Sequence, residues 1–211
     1  MRRPLFIAKQ ARNAKGMLGR FVAFVMARET LLENMRAIDA LEVKPRDHVL
    51  DIGCGHGRSL EILAARASKG RVAGADPSEL MAEIAVARNH AKVKAHKVEV
   101  AIAPADALPF ADGAFDKALC VHVIYFWESL DASFREIARV LKPGARFALV
   151  FRTDADKTAV ASFPKEVYRF RPRSEVIAAL TRAGFAVQVA DHDTEPVLAI
   201  ATKQVAAAVA P

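Results

Sequence analysis

Val49-Leu50-Asp51-Ile52-Gly53-Cys54-Gly55-His56-Gly57 runs a short apolar strand into three alternating glycines, and Asp76 closes a second apolar stretch nineteen residues further on. Glycine lacks a Cβ, so such a turn bends sharply and brings bare backbone against a ligand. Strand, glycine turn, helix, strand and acid is the order in which a doubly wound sheet offers a carboxylate to a ribose. These residues point to a nucleoside-containing ligand. Their spacing argues against a dinucleotide, because a pyrophosphate cradle wants Gly-x-Gly-x-x-Gly before a helix N-terminus. Here the pattern is Gly-x-Gly-x-Gly, with Asp51 two residues before the first glycine. A carboxylate at that point repels a pyrophosphate and suits an ammonium.

Working outward, the same alternation of strands and helices continues. Residues 17–41 read as helix, with Leu31, Leu32, Met35, Ile38 and Leu41 on its apolar positions, and Lys44-Pro45-Arg46-Asp47 breaks it. After the strand over 48–52 come a helix over 59–67, a strand over 71–75 and a helix over 78–89 started by Pro77-Ser78-Glu79. A short strand near 98–102 precedes the loop Ala105–Phe110. The apolar run 115–122 fits a strand covered on both faces. A helix over 130–141 ends at Lys142-Pro143-Gly144; a buried strand over 146–151 and a polar loop over 152–157 follow. A helix over 174–183 with Gly184 as its cap leads to a closing antiparallel pair, 185–190 and 196–202. The pattern predicts an α/β doubly wound sheet preceded by N-terminal helices.

At 211 residues the chain reads as one domain, and no apolar run reaches the roughly 18–20 residues that span a bilayer. Cys54 and Cys120 are its two cysteines, one in the glycine turn and one in an apolar strand. Neither placement makes a disulfide framework or a zinc site, so a reducing, cytoplasmic compartment is expected, with no metal. Arg2, Arg3, Lys9, Arg12, Lys15, Arg20 and Arg28 give seven cations before the first acid, Glu29, and so equal the whole formal net charge of +7. Leu18, Phe21, Val22 and Val25 repeat within this start at helical spacing. Three uses follow from that composition: a helical cap over the ligand site, a face for an anionic membrane, or a targeting segment. The absence of serine there disfavours the last.

Taken together, VLDIGCGHG, Asp76 in AGADPS, ADALPF over 105–110 and RVLKPGARFALVF over 139–151 resemble the class I S-adenosylmethionine-dependent methyltransferases. The resemblance covers about residues 40–203 and is closest to the small-molecule, UbiE-like branch. It implies a Rossmann-like fold with a mostly parallel seven-stranded sheet whose last strand is antiparallel. Residues 1–41 are then a helical cap, 42–203 the cofactor-binding domain and 204–211 a tail. It also implies S-adenosyl-L-methionine as cofactor and methyl transfer to an N, O, S or C nucleophile of a small molecule, with a lipid or quinone as the narrower version. The alternative is a non-catalytic partner protein that binds the same cofactor.

The resemblance assigns the site residue by residue. Asp51 and the turn Gly53, Cys54, Gly55 and Gly57 meet the amino-acid end of the cofactor, and Asp76 the ribose. Asp106, the backbone of Ala107 and the side chains of Pro77 and Leu108 meet the adenine, and Val121 is a further cofactor-binding residue. A base, where one is needed, belongs just past the fourth strand, in Val121-His122-Val123-Ile124-Tyr125-Phe126-Trp127. His122 and Tyr125 are the candidates, His122 because a neutral imidazole can take a proton near pH 7. Arg152, Arg169, Arg171 and Arg173 either greet an anionic substrate or form a solvated loop. The Asn/Asp-Pro-Pro-aromatic motif of nucleic-acid methylating branches is absent at 121–124, so no nucleic-acid partner is expected. The Tyr-Asp-x-x-Ala start common in the UbiE branch is also absent, which leaves the substrate open.

Overall fold

A computed structural model describes residues 3–190 and 195–205, and the backbone alone of 23–29. Three helices open the chain: α1 (Leu5–Arg12), α2 (Gly16–Glu29) and α3 (Leu31–Ala40). Then come β1 (His48–Ile52), α4 (Arg58–Arg66), β2 (Arg71–Asp76), α5 (Glu79–Arg88), α6 (His90–Lys94) and β3 (Val98–Ile102). The second half runs β4 (Phe115–Val121), a 3-10 turn over Ile124–Phe126, α7 (Leu130–Val140), β5 (Leu141–Phe151), α8 (Lys157–Ser162), α9 (Arg173–Arg182), β6 (Phe185–Val189) and β7 (Val197–Lys203).

The seven strands form one sheet in the order β3-β2-β1-β4-β5-β7-β6, and β7 alone runs against its neighbours. This is the expected mostly parallel sheet with an antiparallel last strand. Both faces are covered, which is why β1, β4 and β5 are nearly continuous apolar runs. Ile38 of α3 and Leu60 and Leu63 of α4 bury against one face. Phe134 and Ile137 of α7, with Val176 and Leu180 of α9, bury against the other. Strand order reverses between β1 and β4, so their carboxyl ends splay open there, the usual place for a ligand in such sheets.

The helix expected over 17–41 is two helices, parted at Thr30. The Asn34 side-chain amide donates to the Thr30 carbonyl at 2.7 Å, sharing an acceptor with the Asn34 backbone N–H at 3.0 Å. Such side-chain competition favours a new helix start over continuity. The helix expected to reach Leu141 stops at Val140, and Lys142-Pro143-Gly144 forms the irregular beginning of β5 instead of a loop. Leu141 already pairs with Phe115, and the register shifts between Phe115 and Lys117. The polar loop over 152–157 ends at Asp156, whose carboxylate accepts the Ala159 N–H at 2.9 Å and so starts α8. Among the described residues no helix is long and apolar enough to cross a membrane.

Candidate active site

A cavity of about 530 Å³ opens over the carboxyl ends of β1, β2 and β4, within the range of small-ligand sites. Its floor is the glycine turn. Gly53 has φ of +73°, and a Cβ added there would lie 2.3 Å from Val123 Cγ2, so only glycine lets β1 turn this close to the segment after β4. Gly57 also has φ of +73°, but its missing Cβ faces Ala85 of α5 at 2.7 Å. It does not line the cavity. In this fold it packs the turn closely against α5.

Two carboxylates face the cavity from adjacent strands. Asp51, at the end of β1, is buried and accepts a hydrogen bond from the Ser59 hydroxyl on α4. Burial, aided by the nearby Asp76 charge and only partly opposed by Ser59, pushes its pKa up to about 7. A buried acid that ionises so reluctantly is stabilised by an added cation. Asp76 ends β2, with Oδ2 accepting the Gly55 N–H at 3.0 Å and Oδ1 accepting the Ser78 N–H at 2.9 Å. It braces the turn as well as facing the cavity. Burial raises its pKa against those two hydrogen bonds. Cys54 lies between them, its thiol held protonated by burial. Its Sγ occupies space that a Cβ on Gly74 would enter at 2.7 Å.

One wall comes from the loop after β3. Asp106 and Pro77 are exposed and line the cavity, whereas Leu108 is buried in the core and Ala107 faces elsewhere. The loop is pinned from α7. Arg139 donates to the carbonyls of Phe110 (2.8 Å) and Leu108 (3.0 Å) and to Asp112 (2.6 Å), while Glu136 accepts the Leu108 N–H at 2.8 Å. Arg139 opens the RVLKPG stretch, but its part in holding this wall is invisible in the sequence.

The opposite wall is Val121, His122, Val123 and Phe126, followed by Trp127. Tyr125 is not on it. Its ring is buried among Phe126, Tyr168 and Phe170, and its hydroxyl accepts the Arg152 N–H at 2.7 Å and meets His122 Nδ1 at 2.9 Å. Burial and the Arg152 charge hold the His122 imidazole neutral, with a pKa down at about 4. His56 sits at the rim, where Nδ1 accepts the Arg58 N–H at 3.2 Å; burial and Arg88 lower its pKa to about 4. Of Arg152, Arg169, Arg171 and Arg173, for which the sequence offered either a substrate contact or a solvated loop, none lines the cavity. Arg152 pairs with Asp156 and Arg171 with Glu175, and the cations at the cavity are Arg12 and Arg58.

The roof is the N-terminal segment, through Ala11–Ala14 and Thr30, Leu31 and Asn34. The Ser78 hydroxyl, which caps α5, donates to the Ala14 carbonyl at 3.0 Å and ties roof to floor. Composition foretold a helical start, but no local signal marked Asn34 or Ala14 as cavity residues.

Comparison with known proteins gives a consistent picture. Residues 50–149 match the family model described as a methyltransferase domain. The malonyl-[acyl-carrier protein] O-methyltransferase of Geobacter sulfurreducens is 30% identical over 184 residues, covering 81% of this chain and 68% of that protein. Methyltransferase GfsG of Streptomyces halstedii is 35% identical over 126 residues, 58% of this chain and 45% of that protein. The chain spans less than half the length of several curated relatives it matches, GfsG among them. The crystal structure of a SAM-dependent methyltransferase from Aquifex aeolicus superposes with a TM-score of 0.66 at 25% identity, covering 83% of this chain and 91% of that one.

Proposed function

Since this chain belongs to the class I S-adenosylmethionine-dependent methyltransferases, we propose that it moves the methyl group of that cofactor to an oxygen nucleophile of a small molecule. The observation that carries this reading is the pairing of two buried carboxylates across the glycine turn, at the open end of the sheet. Asp51 suits the ammonium of an amino-acid moiety, and Asp76 keeps lone pairs for a ribose hydroxyl beyond those given to Gly55 and Ser78. Asp106 and Pro77 flank room for a flat heterocycle. Gly57 and Leu108 act behind this surface, through packing, and Ala107 is exposed outside it, its N–H bonded to the Pro104 carbonyl at 3.2 Å. When bound, the cofactor supplies an already activated methyl on a sulfonium, so the chain's task is to align the partners and keep water out. The oxygen acceptor is supported by the O-methyltransferase of Geobacter sulfurreducens, which the chain matches over most of its length.

Residues 1–41 serve as a cap over the domain of 42–203; the tail, 204–211, lies largely outside the described residues. The outward side of the cap carries Phe6, Met17 and Phe21, which are 59%, 88% and 64% exposed, among the cations of the first helices. That combination suits an anionic lipid surface and a lipid- or quinone-like acceptor. Co-sedimentation with anionic liposomes at low salt tests this part, and absence of binding removes it. Free, buried Cys54 and Cys120 fit a reducing, cytoplasmic setting.

Calorimetric titration with S-adenosylhomocysteine beside NAD tests the main reading. One-to-one micromolar binding of the first, with none of the second, is expected. Binding of NAD alone would make the chain an oxidoreductase with an unusual turn. Cofactor binding without methyl uptake by any small acceptor would favour the non-catalytic partner.

A further inference from the structure

His122 is held in an unusual way for a residue on a cavity wall. Its φ is +60°, a region that non-glycine residues occupy only when their surroundings impose it. The constraint is visible: its N–H donates to the Val150 carbonyl at 2.9 Å, and Nδ1 lies 2.9 Å from the Tyr125 hydroxyl. That hydroxyl already accepts the Arg152 N–H at 2.7 Å. Its own proton needs an acceptor, and among the described residues the one within reach is His122 Nδ1. A neutral imidazole has one protonated and one bare nitrogen. With Nδ1 accepting from Tyr125, the proton sits on Nε2. Among the described residues Nε2 has no hydrogen-bond partner, and it is not among the buried unpartnered polar atoms, so the cavity is where it is open.

We propose that Tyr125 locks His122 as an Nε2–H hydrogen-bond donor aimed into the cavity, which selects acceptors bearing an ionisable oxygen, such as carboxylates and acidic phenols. The inference rests on the methyltransferase reading for its substrate class. His122 is then not a base. A fixed donor beside the reaction site holds an oxyanion in place and favours its ionised form but cannot remove a proton from a neutral amine or alcohol. An ionised carboxylate needs no base. Its oxygen lone pair forms the new bond to the methyl carbon while the carbon–sulfur electron pair stays with sulfur, and no proton moves. Of the charged and titratable groups around the imidazole, Arg152, just past β5, disfavours a cationic ring and the Tyr125 phenol stays protonated beside it, while Glu195 acts on Tyr125 and accepts from Thr153. Tyr125 is a positioning residue that acts through His122.

Long-range ¹H–¹⁵N spectra of the full chain, with the His122 signal identified by its loss in His122→Gln, test the proton's location without any substrate. A bare Nδ1 and protonated Nε2 at pH 7, scrambled in Tyr125→Phe, are expected; an Nδ1–H tautomer or a cationic ring overturns the lock. Methyl uptake from labelled S-adenosylmethionine by a panel of carboxylic acids, phenols and aliphatic amines tests the selection. Rates should follow each acceptor's own ionisation, fall about tenfold or more in His122→Ala, and recover in His122→Gln, whose amide N–H can donate. S-Adenosylhomocysteine affinity should be unchanged in all variants. Uptake by amines alone, or a pH limb shared by all acceptors and lost in His122→Gln, overturns the donor role. Failure to bind S-adenosylhomocysteine would instead sink the cofactor reading and leave the spectroscopic result standing.

Discussion

Asp51 gives the site its sensitivity to pH. Its pKa rises from 3.8 to about 7 through burial. Between those values the unfolded chain releases a proton that the folded one keeps, so this residue makes the ligand-free protein less stable as pH rises from 3.8 to about 7. A ligand ammonium reverses the preference by pulling the proton off. Affinity for S-adenosylhomocysteine should therefore rise about fivefold from pH 6 to pH 7 and about twofold more by pH 8, then level off. Calorimetry on wild type and Asp51→Asn checks this, since the variant should show a flat profile across the same range. At Gly53 the expected effect is steric. Gly53→Ala places a methyl 2.3 Å from Val123 Cγ2 at a positive φ, and should cost about 3 kcal/mol in a denaturant melt.

At the scale of elements, the wall after β3 depends on α7. Arg139 makes hydrogen bonds to Leu108, Phe110, Asp112 and Glu136, which hold the loop's backbone without touching the cavity. Arg139→Ala should weaken S-adenosylhomocysteine binding by about 1–2 kcal/mol, with faster hydrogen exchange confined to residues 104–112. Equal exchange there would show that the loop holds itself. This dependence also marks what the sequence could disclose. The glycine turn, the seven strands and the acids on β1 and β2 follow local rules: apolar runs, caps and backbone freedom. α6 and α8 are too short to announce themselves and form because neighbours hold them. Gly57 and Leu108 belong to motifs that look like ligand contacts, yet face helix and core, because motif spacing does not reveal which way a side chain points. Tyr125 sits one layer back, and its hydroxyl reports only in three dimensions.

For the whole molecule, the site lies where both halves of the sheet meet the N-terminal roof, so a ligand there contacts elements from all three. Saturation with S-adenosylhomocysteine at 100 times its Kd should stabilise the protein by about 2.7 kcal/mol, seen as a single upward-shifted thermal transition. Two separated transitions would show that roof and sheet melt independently. The roof is joined to the body by polar ties spread over different elements. Arg3 donates its N–H to the Ser162 carbonyl at 2.7 Å and lays its guanidinium 4.7 Å from the Phe163 ring, Ser78 holds Ala14, and Arg20 pairs with Glu83 across 3.7 Å. None of these runs through the sheet's core. Beside these ties Ala8 of α1 packs in the core and Ile38 and Leu41 bury against the sheet, so loosening the polar fasteners frees the front of the roof while α3 stays in place, and those fasteners set how long a spent cofactor stays. Arg3→Ala combined with Ser78→Ala should quicken S-adenosylhomocysteine departure in stopped-flow chase experiments, with little change in how fast it arrives; the clock of this protein is then kept by its first forty residues.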